Sequence, residues 1–177
     1  MRRTAEGGWT RVLALILAVL ALQLCASCGG GGKSEGGSQA QEQRTVLELS
    51  LNPVSQPDGT IHVELSATNA ARLYQLSSRL SFDSAAVRPL GPAVPGNLPA
   101  QDAIFYSNDR QSGYIPVAFT NTKAAAVGQQ SGILYSVEFE VLDAGLDPRF
   151  ALVTDPQYLI ARDNSASDIE LSVEVQR

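Results

Sequence analysis

From Thr45 onward the apolar residues recur at every second position, and that period admits strands and excludes helices. In 45–51, Leu47, Leu49 and Leu51 point one way while Glu48 and Ser50 point the other. In 60–68, Ile61, Val63, Leu65 and Ala67 share a face opposite His62, Glu64 and Ser66, and Pro57-Asp58-Gly59 makes the turn between the two strands. In 74–82, Tyr74, Leu76, Leu80 and Phe82 face inward and Gln75, Ser77, Arg79 and Ser81 outward, with Ser78 as a polar break on the inner face. Asp83 to Val87 reads as one capped helical turn, followed by a loop holding Pro89, Pro92, Pro95 and Pro99. Further strands are expected at 104–107, 114–120, 133–142, 150–154, 158–162 and 169–175. The longest puts Ile133, Tyr135, Val137, Phe139 and Val141 inward against Ser136, Glu138 and Glu140. About nine short strands, each apolar on one face only, bury those faces by closing two sheets over a shared core. The fold class expected is all-β, an antiparallel β-sandwich.

The first segment has a different character. Met1-Arg2-Arg3 and Arg11 precede an unbroken apolar run, 12–22, which is too short to span a bilayer. A charged start, an apolar centre and small residues before a cut are the parts of a secretory signal peptide. Cys25-Ala26-Ser27-Cys28 resembles the bacterial lipobox, in which small residues precede a cysteine that is acylated and becomes the new N-terminus. That resemblance implies lipidation at Cys28, a signal peptide over 1–27 and a lipoprotein held on the extracytoplasmic side of a cell-envelope membrane. Residues 29–44, GGGGKSEGGSQAQEQR, contain no large apolar side chain and read as a flexible tether. The organisation expected is therefore 1–27 signal, 28–44 lipidated cysteine and tether, and 45–177 folded domain.

Composition removes several classes of chemistry. Both cysteines lie in the signal region, so the domain has no disulfide, thiolate metal site or cysteine nucleophile. Without Arg2, Arg3, Arg11 and Glu6, the 13 basic and 18 acidic residues of the chain leave a mature net charge of −7. With no basic block, nucleic acid is not the expected partner. The one histidine, His62, lies on an outward face and cannot build a triad or a zinc site of several imidazoles. Glu138 and Glu140 share a strand face about 7 Å apart by strand rise, a separation that invites comparison with paired glycosidase carboxylates. Strand alternation alone accounts for them as a solvated outer face. The oxygen-bearing stretch Asp163 to Asp168 lacks the spacing of an EF-hand loop and reads as a polar turn. No catalytic residue, metal or cofactor is assigned, and the protein is not expected to be an enzyme.

The order of landmarks from Thr45 to the C-terminus resembles the cohesin family, within the jelly-roll sandwiches that also include carbohydrate-binding modules. The landmarks are Leu80-Ser81-Phe82-Asp83-Ser84-Ala85-Ala86-Val87, then Val94-Pro95-Gly96-Asn97-Leu98 before Ile104-Phe105-Tyr106, then Gly113 to Phe119, and finally the Gly-led strand Gly132 to Val141. The resemblance implies a jelly-roll, cohesin-like sandwich that binds protein, with a flat face of one sheet as a platform for a dockerin module. Carried to this chain, the partner-binding side chains are Gln75, Ser77, Arg79 and Ser81. Family members often carry Asn and Asp near the positions of Gln75 and Ser77. The partner implied is an exported, dockerin-like protein that would bring its own calcium.

Two other readings use the same sandwich. A carbohydrate-binding module would hold polysaccharide on a row of exposed aromatic rings. The domain has no tryptophan, since Trp9 lies in the signal, and only Tyr106 and Tyr114 have an undetermined side. A structural envelope protein would pack through an edge strand.

Overall fold

The structure is a computed structural model that describes residues 46–123 and 129–176. Cys28, the signal and the tether lie outside the described residues. Residues 42–177 form a compact unit of their own.

Among the described residues, eleven strands form two sheets. The first contains β1 (Leu47–Ser55), β2 (Thr60–Thr68), β4 (Val87–Pro89), β5 (Val94–Pro95), β8 (Ser131–Val141) and β11 (Leu171–Val175). Its order is β11-β1-β2-β8-β4, with β5 also on β8. The second contains β3 (Gln75–Ser81), β6 (Ile104–Ser107), β7 (Tyr114–Thr120), β9 (Ala151–Leu152) and β10 (Ile160–Arg162), in the order β10-β3-β7-β6 with β9 also on β3. The strands foreseen from the alternation are all present. The excess over nine comes from β4 and β5, which lie in the proline-bearing loop. Proline cannot donate to a ladder, so these are very short edge strands.

Alternation is realised in burial. Leu47, Leu49 and Leu51 of β1 and Val63 and Leu65 of β2 are buried, and they face Leu76, Leu80, Ile115, Val117 and Phe119 of the second sheet. At one end Phe139 packs edge-on to Phe82 with centroids 5.1 Å apart and tilts against Phe150 at 4.9 Å. All pairings are antiparallel except one: β1 and β11 run parallel, Leu47 opposite Leu171 through Leu51 opposite Val175. The first and last strands thus lie side by side, and the remaining strands act as the long crossover that a parallel pair requires.

Ile133 departs from the inward position expected of it. Opposite β2 the register slips by one residue, so that Leu65 pairs with Tyr135 but Ser66 pairs with Ile133. The extra residue, Leu134, is fully buried, and Ile133 is turned to the outer side and only half-buried. Such a bulge resets the phase of alternation. The proline loop secures it: the Asn97 Oδ1 accepts the Ile133 N–H at 2.7 Å, the Gly96 N–H donates to Leu134 at 3.0 Å, and the Leu98 N–H donates to Ile133 at 2.9 Å. Gly96 comes so close that a Cβ there would lie 2.2 Å from the Ile133 carbonyl oxygen. Asp83 behaves as expected of a cap, its Oδ1 accepting the Ala85 N–H at 2.9 Å while its carbonyl accepts the Ala86 and Val87 amides.

The polar break at Ser78 has a partner across the core. Its hydroxyl lies 3.2 Å from the Tyr135 hydroxyl and 3.5 Å from the Val117 carbonyl, so that the chain Tyr135 to Ser78 to Val117 satisfies every donor. Burial pushes the Tyr135 phenol above its ordinary pKa. Ser78→Ala leaves that phenol without a partner, and should cost about 1–3 kcal/mol of stability. Tyr135→Phe should cost about 1 kcal/mol, because Ser78 keeps the carbonyl. Urea denaturation of the two single variants and the double variant should show a double variant less destabilised than the sum; strict additivity would contradict a direct bond.

Candidate functional site

The outer faces of the two sheets differ sharply in charge. On the first sheet, Glu48, Glu64, Glu138, Glu140 and Glu174 face outward, with only Arg88 and His62 as basic groups among its strands. Four of these five carboxylates have a partner within the fold, while the face as a whole stays acidic, with five carboxylates against two basic side chains. His62 Nδ1 contacts Glu138 and its Nε2 lies 3.1 Å from Glu64, Arg88 pairs with Glu140, and the Thr68 hydroxyl donates to Glu48 at 2.7 Å. The two carboxylates whose spacing invites a catalytic comparison are therefore held by separate side chains, His62 and Arg88.

The strands of the second sheet contain no aspartate or glutamate, and their only charges are Arg79 and Arg162. Register brings one row together from Arg162 through Gln75 and Thr120 to Ile104, and a second from Ile160 through Ser77 and Ala118 to Tyr106. Arg79 lies opposite Pro116, and Ser81 opposite both Tyr114 and Ala151. The centre of this face carries the small side chains Ser77, Pro116, Ala118 and Thr120, and its edge carries Ile104 at 68% exposure and Tyr106 at 55%. Ile104 and Tyr106 are the two most exposed large apolar side chains on this sheet, and they sit two positions apart on its edge strand.

All four residues predicted for partner binding, Gln75, Ser77, Arg79 and Ser81, lie on this face and are half-buried. Ser81 is partly committed to the fold, since its hydroxyl donates to the Ala151 carbonyl at 3.0 Å. Arg79 stacks 3.5 Å over the centroid of the Tyr158 ring and lies 4.9 Å from that of Tyr114. Tyr106 is outward, and Tyr114 is half-buried under Arg79. Sequence reasoning did not select Ile104, Pro116, Ala118 or Tyr158. A four-residue strand such as Ile104-Phe105-Tyr106-Ser107 has apolar residues in both phases, and only the packing of Phe105 against the core decides which side is out.

The polar stretch after β10 is held by protein donors. Asp163 is buried, its Oδ2 accepting Arg72 at 2.7 Å and its Oδ1 the amides of Ser165 and Ser167 at 2.9 and 3.0 Å. The Arg72 guanidinium and these amides hold its carboxyl below the usual carboxylate range. Arg162 Nε donates to Asp168 at 3.0 Å. These contacts make the stretch a closed turn.

No protein-family model and no curated protein matches the sequence. Solved structures do. The sixth cohesin of scaffoldin B from Acetivibrio cellulolyticus, in complex with a Cel5 dockerin, superposes with a TM-score of 0.63 at 13% identity, covering 75% of this chain and 99% of that one. CaCohA2 from Clostridium acetobutylicum gives 0.60 at 21% identity, covering 75% and 92%. A non-cellulosomal cohesin from the archaeon Archaeoglobus fulgidus gives 0.57 at 16%, covering 73% and 86%. The chain has a cohesin-like fold, a jelly-roll β-sandwich.

The cluster on the opposite face has a pH signature. Hydrogen bonding to Glu138, with a further contribution from Glu64, raises the His62 pKa above 6.5, against a smaller lowering by burial. A raised folded-state pKa adds stability that is fully present below about pH 6.5 and lost as pH rises through the folded value. His62→Gln should therefore lower the melting temperature at pH 5.5 and have a smaller effect at pH 8.5. An equal shift at both pH values, measured by calorimetry, would contradict the assignment.

Proposed function

We propose that this chain is a membrane-anchored extracytoplasmic lipoprotein that displays a non-catalytic, cohesin-like protein-binding module. Its partner is an exported protein with a dockerin-like module, received on the outer face of the β10-β3-β7-β6 sheet. The observation that carries this reading is the contrast between faces: one sheet is net acidic with four of its five outward carboxylates partnered within the fold, and the strands of the other bring no carboxylate and leave Ile104 and Tyr106 exposed at its edge. An exposed apolar border on a rigid sheet is what a docking surface requires. Two of the similar structures are described as complexes with dockerins, which supports a protein as the ligand. The face carries no row of free aromatic rings, since Tyr158 and Tyr114 are covered by Arg79, and this disfavours polysaccharide.

The anchoring half of the proposal rests on the lipobox-like Cys28 and the glycine-rich spacer after it. The lipid supplies attachment and the spacer supplies reach. Cys28→Ala should abolish incorporation of labelled palmitate and release the protein from the membrane fraction; unchanged labelling and fractionation would refute the anchor without touching the domain.

The binding half is tested with the soluble domain, residues 45–177, immobilised and offered the exported proteins of the native organism with and without calcium. A single dominant partner that is retained in calcium and eluted by chelator is expected, with retention lost in an Ile104→Asp/Tyr106→Ala variant. Retention on insoluble polysaccharide with no protein partner would overturn the reading.

A further inference from the structure

Arg79 is distinguished from the other cations that the structure describes on strands. Arg88 and Arg162 each pair with a carboxylate, as does Arg72 beside the second sheet. Among the described residues Arg79 enters no ion pair and its guanidinium donates no hydrogen bond, although it is half-buried and held by two tyrosine rings. A guanidinium has five N–H donors in a planar fork, and stacking on rings uses its faces while leaving the donors at its edge free.

The surroundings are built to keep it so. Tyr158 is placed by a turn in which its N–H donates to the Asp155 carbonyl at 2.8 Å. The Asp155 carboxylate, the acidic group that this turn brings nearest in sequence, accepts the Gln157 N–H at 2.8 Å instead. Tyr114 is steadied by its hydroxyl donating to Gln111 at 3.3 Å. No strand of the sheet brings an aspartate or glutamate, in a chain whose formal charge is −5. A cation that is oriented, partly desolvated and without a counter-ion is a receptor for one, and such charge-assisted pairs become strong when a partner excludes water.

We propose that Arg79 is the carboxylate receptor of the docking face: the partner is a protein that sets an aspartate or glutamate against the edge of the Arg79 guanidinium and apolar side chains against Ile104 and Tyr106. This deepens the protein-docking reading and rests on it. Arg79 and the Ile104–Tyr106 edge are separated by one strand, β7, so that neighbouring strand spacings of about 4.8 Å place both within the span of one helix or loop of a partner. The carboxylate would form two parallel N–H to O bonds that orient it, and the apolar contact would supply most of the buried area.

The test uses a defined probe, a yeast-displayed two-helix library randomised on its exposed face and selected for binding to residues 45–177, a unit that has its own closed core. Binders that carry an acidic residue flanked by apolar ones are expected. Their affinity should fall at least tenfold against Arg79→Gln, should not be restored by Arg79→Lys, which cannot present a planar fork, and should be unchanged against Glu138→Gln on the opposite face. Matching thermal melts for the variants separate lost recognition from lost folding. Binders that are weakened by Tyr106→Ala but indifferent to Arg79→Gln, or that bind through Arg79 without an acidic residue, would overturn this proposal and leave docking on the sheet standing. Binders indifferent to both Tyr106→Ala and Arg79→Gln would overturn the docking face as well.

Discussion

The structure depends on one constraint: strands that are apolar on a single face must find another such face, and here no disulfide assists them. Each sheet supplies half of the core, so neither is stable alone. Closure puts Leu47, Leu65 and Phe139 of one sheet against Leu76, Ile115 and Phe119 of the other. At about 25 cal/mol per Å² of apolar surface removed from water, burial of this kind is the main favourable contribution to folding. The polar link from Tyr135 through Ser78 to Val117 contributes less energy but specifies alignment, since a buried hydroxyl tolerates few positions. The parallel pairing of β1 with β11 closes the same core at the edge where the chain enters and leaves the domain.

With its inner faces committed, the domain can differ from one outer face to the other. The first sheet carries five outward carboxylates, four of them bonded to His62, Arg88 or Thr68, and stays net acidic. The second has small residues at its centre, a stacked Arg79, an Arg162 paired with Asp168, and an apolar edge. A surface of the first kind is content with water. On the proposed reading the second surface is the one a partner covers, with Ile104, Tyr106 and Arg79 as its contacts. The cohesin-like fold agrees with this division, although fold alone does not assign a ligand.

Much of the architecture was legible in the sequence because strand alternation is local. The phases of Leu47–Leu51, Ile61–Ala67 and Leu76–Phe82 are right, and so is the outward placement of Gln75, Ser77, Arg79 and Ser81. Ile133 failed because a bulge is set by another segment: the Gly96–Leu98 loop stitches the extra residue in, and nothing in Gly132 to Val141 announces it. The strands β4 and β5 were missed because proline signals a loop, yet two or three residues can still pair at an edge. The apolar border of the site was also hidden, since the outward phase of Ile104-Phe105-Tyr106 is decided by the packing of Phe105. The stacking of Arg79 on Tyr158 joins residues far apart in the chain and leaves no local trace.

The central claim is that the second sheet, and not the first, receives the partner. Cross-saturation NMR on the methyl-labelled domain bound to its captured partner tests it most directly. Loss of intensity at Ile104, Ala118 and Ile160, with Thr60 and Thr68 unaffected, is the result the account predicts. Saturation centred on Thr60 and Thr68 of the first sheet, with Ile104 and Ala118 untouched, would contradict it.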